Sequence, residues 1–273
     1  MDPVLLYALV GCLVVIVVTW ALGLLTGEHS WVDRIWSIVP IPYVAWFAWQ
    51  TGFADTRLVV MTLLVLAWGV RLTFNFARKG GYAKGGEDYR WPVLRARMPR
   101  WQWEIFALLF IAGFQNVLLL LITLPAWAAL EGATTRPEGG VPFGALDAIA
   151  TVLFVLFLIG ETIADEQQWR FHREKKARLA RGETVDPPFL TTGLFAWSRH
   201  PNFFCEQAQW VCLCLFAVSA TGTVGAWVIG AVILVGLFQG STNFTEELTR
   251  SKYPSYAEYQ KRVSRLLPLP PRA

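Results

Sequence analysis

Histidine, cysteine and charge are all scarce in this sequence, and each scarcity closes off a class of protein. Three histidines and four cysteines in 273 residues, with no Cys-x-x-Cys pair, argue against a structural zinc site and against a disulfide framework. Cys12, Cys205, Cys212 and Cys214 fall in or beside apolar runs, and Cys212 and Cys214 read as small buried residues. There is no Gly-x-Gly-x-x-Gly and no Walker sequence, so any dinucleotide must be held by another scaffold. The chain also lacks an internal repeat, and no linker is long enough to separate two domains, so it reads as a single domain, 1–273. Charged residues make up only 16% against 55% hydrophobic, a balance that points to the bilayer. The basic segments carry no nucleic-acid-binding motif.

What is present is long uncharged sequence: 3–27, 35–54, 105–130 and 207–245. A crossing needs about 20 residues, so the first three runs each suit one span. The last suits two, with Thr221-Gly222-Thr223 as a turn. Two shorter runs, 58–70 and 148–160, are bounded by Arg57, Arg71, Asp147 and Glu161. They become spans only if some of those charges face the protein interior. The reading is an all-α polytopic membrane protein of about seven transmembrane helices, near 3–26, 32–53, 57–77, 103–128, 145–168, 202–220 and 223–243. The start, Met1-Asp2-Pro3, has no basic n-region, so 3–27 is expected to be a retained span rather than a cleaved signal peptide.

The charges are unevenly placed. Of 24 Lys and Arg, seven lie in 78–100, seven in 170–199 and six in 250–272. The other four are Arg34, Arg57, Arg71 and Arg136. The positive-inside rule puts the three rich segments in the cytoplasm, with the N-terminus outside and the C-terminus inside. For most of these residues, orienting the protein and touching anionic lipid is sufficient explanation. The cytoplasmic face then collects Glu28, His29, Asp33, Arg34 and Arg71, the loops 78–102 and 165–201, and the tail 241–273. The outer face keeps short, weakly charged connections, of which 131–144 is the longest. In bacteria the expected location is the inner membrane.

Three polar constellations remain. Ser198-Arg199-His200-Pro201-Asn202-Phe203-Phe204-Cys205-Glu206 joins a polar cluster to an uncharged run, and such residues at a membrane boundary are costly unless they bind something. A helix beginning near Pro201 puts Asn202 and Glu206 on one face. The plainer alternative is a charged helix cap at the interface. Glu161 and Asp165, with Trp169 and Arg170, form the second group, and Glu246, Glu247 and Arg250 the third. Carboxylates there can accept bonds from ribose hydroxyls or an amine, and arginines can take phosphates. In the tail, Tyr253-Pro254 breaks a helix that Ser255 restarts as N-cap. Tyr253, Tyr256 and Tyr259 recur every three residues beside Lys261, Arg262 and Arg265, either as an interfacial aromatic belt or as a lid over a charged ligand. The stretch 266–271 is expected to be extended.

The run Ser198-Arg199-His200-Pro201-Asn202-Phe203, followed by Glu206, Glu246-Glu247, Tyr253, Tyr256, Tyr259, Arg262 and Pro268, resembles the C-terminal signature of a membrane superfamily. Its members include steroid 5-alpha-reductases, sterol reductases and isoprenylcysteine carboxyl methyltransferases. Asp33-Arg34-Ile35-Trp36, Trp68-Gly69-Val70-Arg71-Leu72, Gly86-Glu87-Asp88-Tyr89-Arg90 and Ala164-Asp165 with Trp169-Arg170 extend the likeness over roughly 30–270. Within the superfamily the chain most resembles the bacterial DUF1295 branch. The resemblance implies a seven-helix fold, NADPH from the cytoplasm and a lipid-like substrate from the bilayer. It places Asp165, Asn202, Glu206 and Trp210 among cofactor contacts, with His172 or Arg173 as a basic one. Arg71, Arg170, Arg199, His200, Glu246, Glu247, Arg250, Tyr253, Tyr256, Tyr259 and Arg262 complete the expected cofactor-binding set. In the reductases a glutamate and a tyrosine hold the substrate's 3-keto group. Asp33 lies near the glutamate's place. The tyrosine's place falls on Trp68 or Gly69, where there is no phenol, leaving Tyr89 as the candidate substitute.

The resulting expectation is an NADPH-dependent reductase of a hydrophobic enone, a 3-oxo-Δ4 steroid by family likeness, with Asp33 polarising the carbonyl as a carboxyl that stays protonated in a low-dielectric position. The plainer role for Asp33 is an ion pair with Arg34 or Arg71. The runner-up activity is an S-adenosylmethionine-dependent methyltransferase acting on a lipid-linked thiol or an amine, although that cofactor lacks the phosphates the basic loops suit. A transporter or lipid-binding protein is the third reading, opposed by the gathering of polar residues at one face rather than at the midplane. The topology is directly testable. A cysteine placed at Gly139 should react with an impermeant thiol reagent in intact cells and one at Gly86 should not; the reverse pattern would invert the orientation.

Overall fold

The computed structural model describes residues 2–135 and 140–272. Among these the regular structure is helical, with one isolated parallel bridge between Ser198 and Ser264. Arg136 and Gly139, on the expected outer connection, lie outside the described residues. Among the described residues, six helical stretches are long and apolar enough to cross a membrane: Pro3–Thr26, Thr56–Arg78, Arg100–Thr134, Ala145–Ala180, Pro201–Thr221 and Ala226–Lys252. Two compact units are distinguished, Met1–Thr151 with Cys212–Val232, and Val152–Val211 with Ile233–Ala273. The division falls inside helices, which is why no linker marks it in the sequence.

In the first unit, α1 (Pro3–Thr26) starts where Asp2 accepts from the Val4 amide at 2.9 Å and Pro3 takes the first helical position. It stops at Gly27, whose φ of 70° closes the last turn onto Gly23 O. Its buried positions, Ala8, Cys12, Thr19 and Gly23, form one stripe. Elsewhere Leu13, Val14, Val17 and Leu25 are exposed, an apolar surface that suits lipid.

The expected span at 32–53 is not one helix. It is α2 (Trp31–Ile35) and α3 (Pro40–Trp49), separated by a turn. Pro40 removes the donor that Trp36 O would need. Pro42 does the same for Ile38 O, which accepts instead from the Ile41 amide at 3.2 Å. Helix α4 (Thr56–Arg78), capped by Asp55 on the Leu58 amide at 2.9 Å, packs against this break. A Cβ on Gly69 would run into Ser37 O. The Ser37 and Thr73 hydroxyls meet at 2.7 Å. The absence of a phenol at position 69 therefore has a steric cause, and Trp68 beside it is fully buried.

Helices α5 (Arg90–Ala96) and α6 (Arg100–Phe106) precede a π-helical segment, Ala107–Phe114, along which Phe106, Phe110 and Phe114 stack at 4.9 and 5.3 Å. The stretch continues through α7 (Gln115–Leu121) and α8 (Leu124–Thr134), broken where Pro125 leaves Leu121 O without its donor.

The two short apolar runs do form span-length helices, α4 and α9 (Ala145–Ala180), and of their boundary charges Arg57, Asp147 and Glu161 are buried and Arg71 partly so. Arg57 is 1% exposed and Asp147 is fully buried. They pair at 2.7 and 3.0 Å, while Ser219 Oγ and the Gly144 amide each donate to Asp147 at 2.8 Å.

In the second unit, α9 continues twelve residues beyond the expected end at 168. Its polar last turns are made of good helix formers, with Glu166 and Arg170 paired at 2.7 Å. Helix α10 (Pro201–Thr221) starts at the expected proline, and α11 (Ile229–Lys252) ends before Tyr253-Pro254. Helix α12 (Tyr256–Arg262) follows Ser255, which sits at the N-cap without a side-chain bond. Phe157 against Phe204 at 5.8 Å, and a Gly160 on which a Cβ would stand 3.0 Å from Cys205 Sγ, fix α9 beside α10 within this unit.

Two experiments follow. A Cβ at Gly86 would strike Gly80 O, so the inner topology probe belongs at exposed Lys84 instead. Asp147→Leu should strand Arg57 as a buried unpaired charge and destabilise the detergent-solubilised protein by about 3–5 kcal/mol. An unchanged melting temperature would remove the pair from the structural account.

Candidate functional site

In the second unit the Ser198–Glu206 motif and the Glu246 group converge. Arg199 donates to Glu246 through Nε at 2.6 Å and Nη2 at 3.1 Å. His200 Nε2 lies 3.0 Å from the same carboxylate, and Gln260 Nε2 donates to it at 2.7 Å. Arg199 also donates to the carbonyls of Gln260 and Val263. The anion that Arg199 and His200 hold here is thus Glu246, and the set anchors the tail onto the start of α10. The Arg199 and His200 amides reinforce it, donating to Ser264 O and Arg265 O at 2.9 and 3.1 Å. Arg265 itself donates to Asn243 and Gln239.

The tyrosines are neither a simple belt nor an open lid. Tyr256 and Tyr259 are buried against Phe189, and Tyr259 OH donates to Phe195 O at 2.5 Å. Burial pushes both phenols well above their ordinary pKa. Tyr253 is only partly buried. Lys175 lies 3.0 Å from its hydroxyl, and that hydrogen bond pulls the phenol below its ordinary pKa.

A second group lines α9 and α10. Glu161, Asp165 and Glu206 are each 4% exposed, although all three sit in helices of membrane-crossing length. Gln209 Nε2 donates to Glu161 at 2.7 Å and Trp210 Nε1 to Glu206 at 3.2 Å. Asn202 lies four residues before Glu206 on α10, as expected, and is partly exposed. His172, Arg173, Glu247, Arg250 and Arg262 are exposed, as is Arg170 in its pair with Glu166. Spacing could not pair Arg199 with Glu246. Lys175, Gln209 and Gln260 were missed for the same reason, since their partners lie 14 to 78 residues away.

In the first unit the segments 27–34 and 81–95 are laced together. Arg34 pairs with Glu28 at 2.6 Å and donates to Gly81 O at 3.1 Å. The Gly85 amide donates to Glu28, the His29 amide to Glu87 at 2.7 Å, and the Asp88 amide to Ser30 Oγ at 2.8 Å. Arg34's carboxylate partner is therefore Glu28 and not its neighbour Asp33. Asp33 accepts from Trp91 Nε1 at 2.7 Å and from Ser30. Burial pushes its carboxyl above the usual range, against the pull of Arg90 and with the push of Asp88. Tyr89 is 57% exposed at the start of α5, and Arg71 is partly buried on α4.

Span-length helices with carboxylates buried among them, and an arginine–histidine–glutamate lock at the helix ends, define a polytopic membrane protein with a polar interior. The chain belongs to the family described as "Protein of unknown function (DUF1295)", which matches residues 19–263. It is 39% identical over 266 residues to "Uncharacterized protein C594.04c" of Schizosaccharomyces pombe, covering 92% of this chain and 76% of that protein. No solved structure matches.

The lock makes its own prediction. Glu246→Leu should leave Arg199 buried without a counter-charge, at about 3–5 kcal/mol, and loosen the tail. Limited proteolysis within 253–272 should accelerate; an unchanged digestion rate would show that the tail is held by its tyrosines alone.

Proposed function

We propose that the protein is a membrane-bound, NADPH-dependent reductase of the C=C bond of a hydrophobic enone, with a 3-oxo-Δ4 steroid as the substrate class that the superfamily likeness favours. The observation that carries this reading is the row of buried carboxylates, Glu161, Asp165 and Glu206, with Trp210 beside them. Ionisable groups inside membrane helices are expensive and are kept for function. Their acceptor chemistry fits the hydroxyls and carboxamide of a dinucleotide, and exposed Arg170, His172 and Arg173 fit its phosphates. When bound, NADPH supplies the hydride that adds to the β-carbon of the enone. Asp165, Asn202 and Glu206 bind and orient the cofactor. Asp33, whose carboxyl burial pushes above its usual range and whose position Trp91 and Ser30 set, is the group assigned to hydrogen-bond the carbonyl oxygen as enolate charge develops. The three basic segments face the cytoplasm, where the cofactor is found.

The test has two stages. NADPH should raise the melting temperature of the purified protein by mass action, about 2.7 kcal/mol at a hundredfold excess over Kd. Asn202→Ala and Glu206→Gln should weaken that shift. Stabilisation by S-adenosylmethionine but not by NADPH would replace the reductase with a methyltransferase. Asp33→Asn keeps an acceptor for Trp91 and should still fold. With cofactor saturating, single-turnover NADPH oxidation should fall by about 10²–10⁴. A rate within about threefold of wild type, small against that range, would remove Asp33 from the mechanism.

A further inference from the structure

A cleft of about 470 Å³ opens in the first unit at the C-terminal end of α1, bounded by Leu24, His29, Arg95, Met98, Trp103 and Glu104, with exposed Arg100 also lining it. None of these residues belongs to the cofactor set proposed above. Two of them carry buried N–H donors without an acceptor among the described residues, Trp103 Nε1 and Arg95 Nε. Trp103 is 3% exposed, and a donor buried and unmatched to that degree is costly. The Arg95 guanidinium lies over the Trp103 ring, 5.0 Å from its centroid, so the two side chains are neighbours. One oxyanion could accept from both.

The charges around the cleft narrow the ligand further. Arg95 and Arg100 are positive. Glu104 lines the same cleft, and Glu87 lies 3.5 Å from Arg95. His29 has Nδ1 2.7 Å from Arg95 Nη2. Burial, with Arg95 acting in the same sense and Glu87 and Glu104 opposing, lowers its pKa and keeps it neutral. Two positive and two negative groups cancel, which suits a zwitterion better than a simple anion. Leu24 leads out onto the lipid-compatible face of α1, where it is 51% exposed and Leu25 is 82% exposed. An oxyanion, a nearby cation and an apolar tail are the parts of a phospholipid.

We infer that this cleft seats the headgroup of a zwitterionic phospholipid of the phosphatidylethanolamine type. Its phosphate accepts from Arg95 and Trp103, its ammonium pairs with Glu104, and its acyl chains run along α1.

Native mass spectrometry of the detergent-purified full chain, titrated with short-chain phosphatidylethanolamine, phosphatidylglycerol or inorganic phosphate, tests this directly. A one-to-one phosphatidylethanolamine adduct is expected. Trp103→Phe, which keeps the ring against His29 and beneath Arg95, should weaken it about tenfold. Glu104→Gln should weaken phosphatidylethanolamine and leave phosphatidylglycerol unaffected. Trp101→Phe, on the exposed side of α6, should change neither. Wild-type affinity in Trp103→Phe, or phosphatidylglycerol or inorganic phosphate binding as tightly as phosphatidylethanolamine, would overturn the inference. Should Trp103→Phe fail to fold, the nearly isosteric Glu104→Gln decides it alone: equal loss for both lipids, or loss for neither, would sink the zwitterion.

Discussion

Charge inside an apolar chain must be matched, and that constraint organises both units of this protein. A bilayer offers a bare carboxylate or guanidinium almost nothing, and removing one partner of a buried pair costs far more than the pair itself contributes. Arg57 with Asp147 and Arg199 with Glu246 are both nearly or wholly buried. Each is supplemented by neutral donors and acceptors: Ser219 and Gly144 in one case, Gln260 and backbone carbonyls in the other. Such pairs are weak sources of net stability. Their physical value is register, because a slip along α4 against the start of α9, or of the tail against α10, leaves full charges stranded.

The same constraint separates scaffold from chemistry in the Arg199–Glu246 region. A polar motif at the head of a span invites a ligand-binding reading for every member. Yet Arg199 and His200 already meet a carboxylate from their own unit, and Tyr259 already meets Phe195 O. Outside that set, Asn202 and Tyr253 are partly exposed, and the acids of α9 and α10 are buried. A ligand that displaced Glu246 would have to replace its four contacts with Arg199, His200 and Gln260 at once, so binding beside this lock is physically cheaper than binding through it.

Features governed by local rules were legible in the sequence. The Asp2-Pro3 start of α1, the start of α10 at Pro201, the turn at 221–223 and the break at Tyr253-Pro254 each rest on a proline, a glycine or a cap acting on its neighbours. The condition that some of Arg57, Arg71, Asp147 and Glu161 face the interior was also legible, because hydropathy alone could not make 58–70 or 148–160 long enough; Arg57, Asp147 and Glu161 are buried and Arg71 partly so. The broken helix at 31–49 was less so: Pro40 and Pro42 count as apolar in an uncharged run, while their missing donors divide it. Charge obscured the polar end of α9, where residues good for loops by hydropathy are good for helices by propensity.

Pairing was the least legible feature, for a reason Asp33 makes concrete. Arg34 is its immediate neighbour and looks like its partner on paper. On a helix, adjacent residues point about 100° apart and do not face each other. Arg34 accordingly turns to Glu28, six residues back, while Asp33 turns to Trp91, 58 residues on. That divergence leaves a carboxyl with neutral hydrogen-bond donors, Trp91 and Ser30, as its direct partners, and with Arg90 acting on it only through a charge largely matched by Asp88. Because the helix directs Arg34 elsewhere, burial rather than a paired guanidinium dominates the carboxyl and pushes it above the usual carboxylate range.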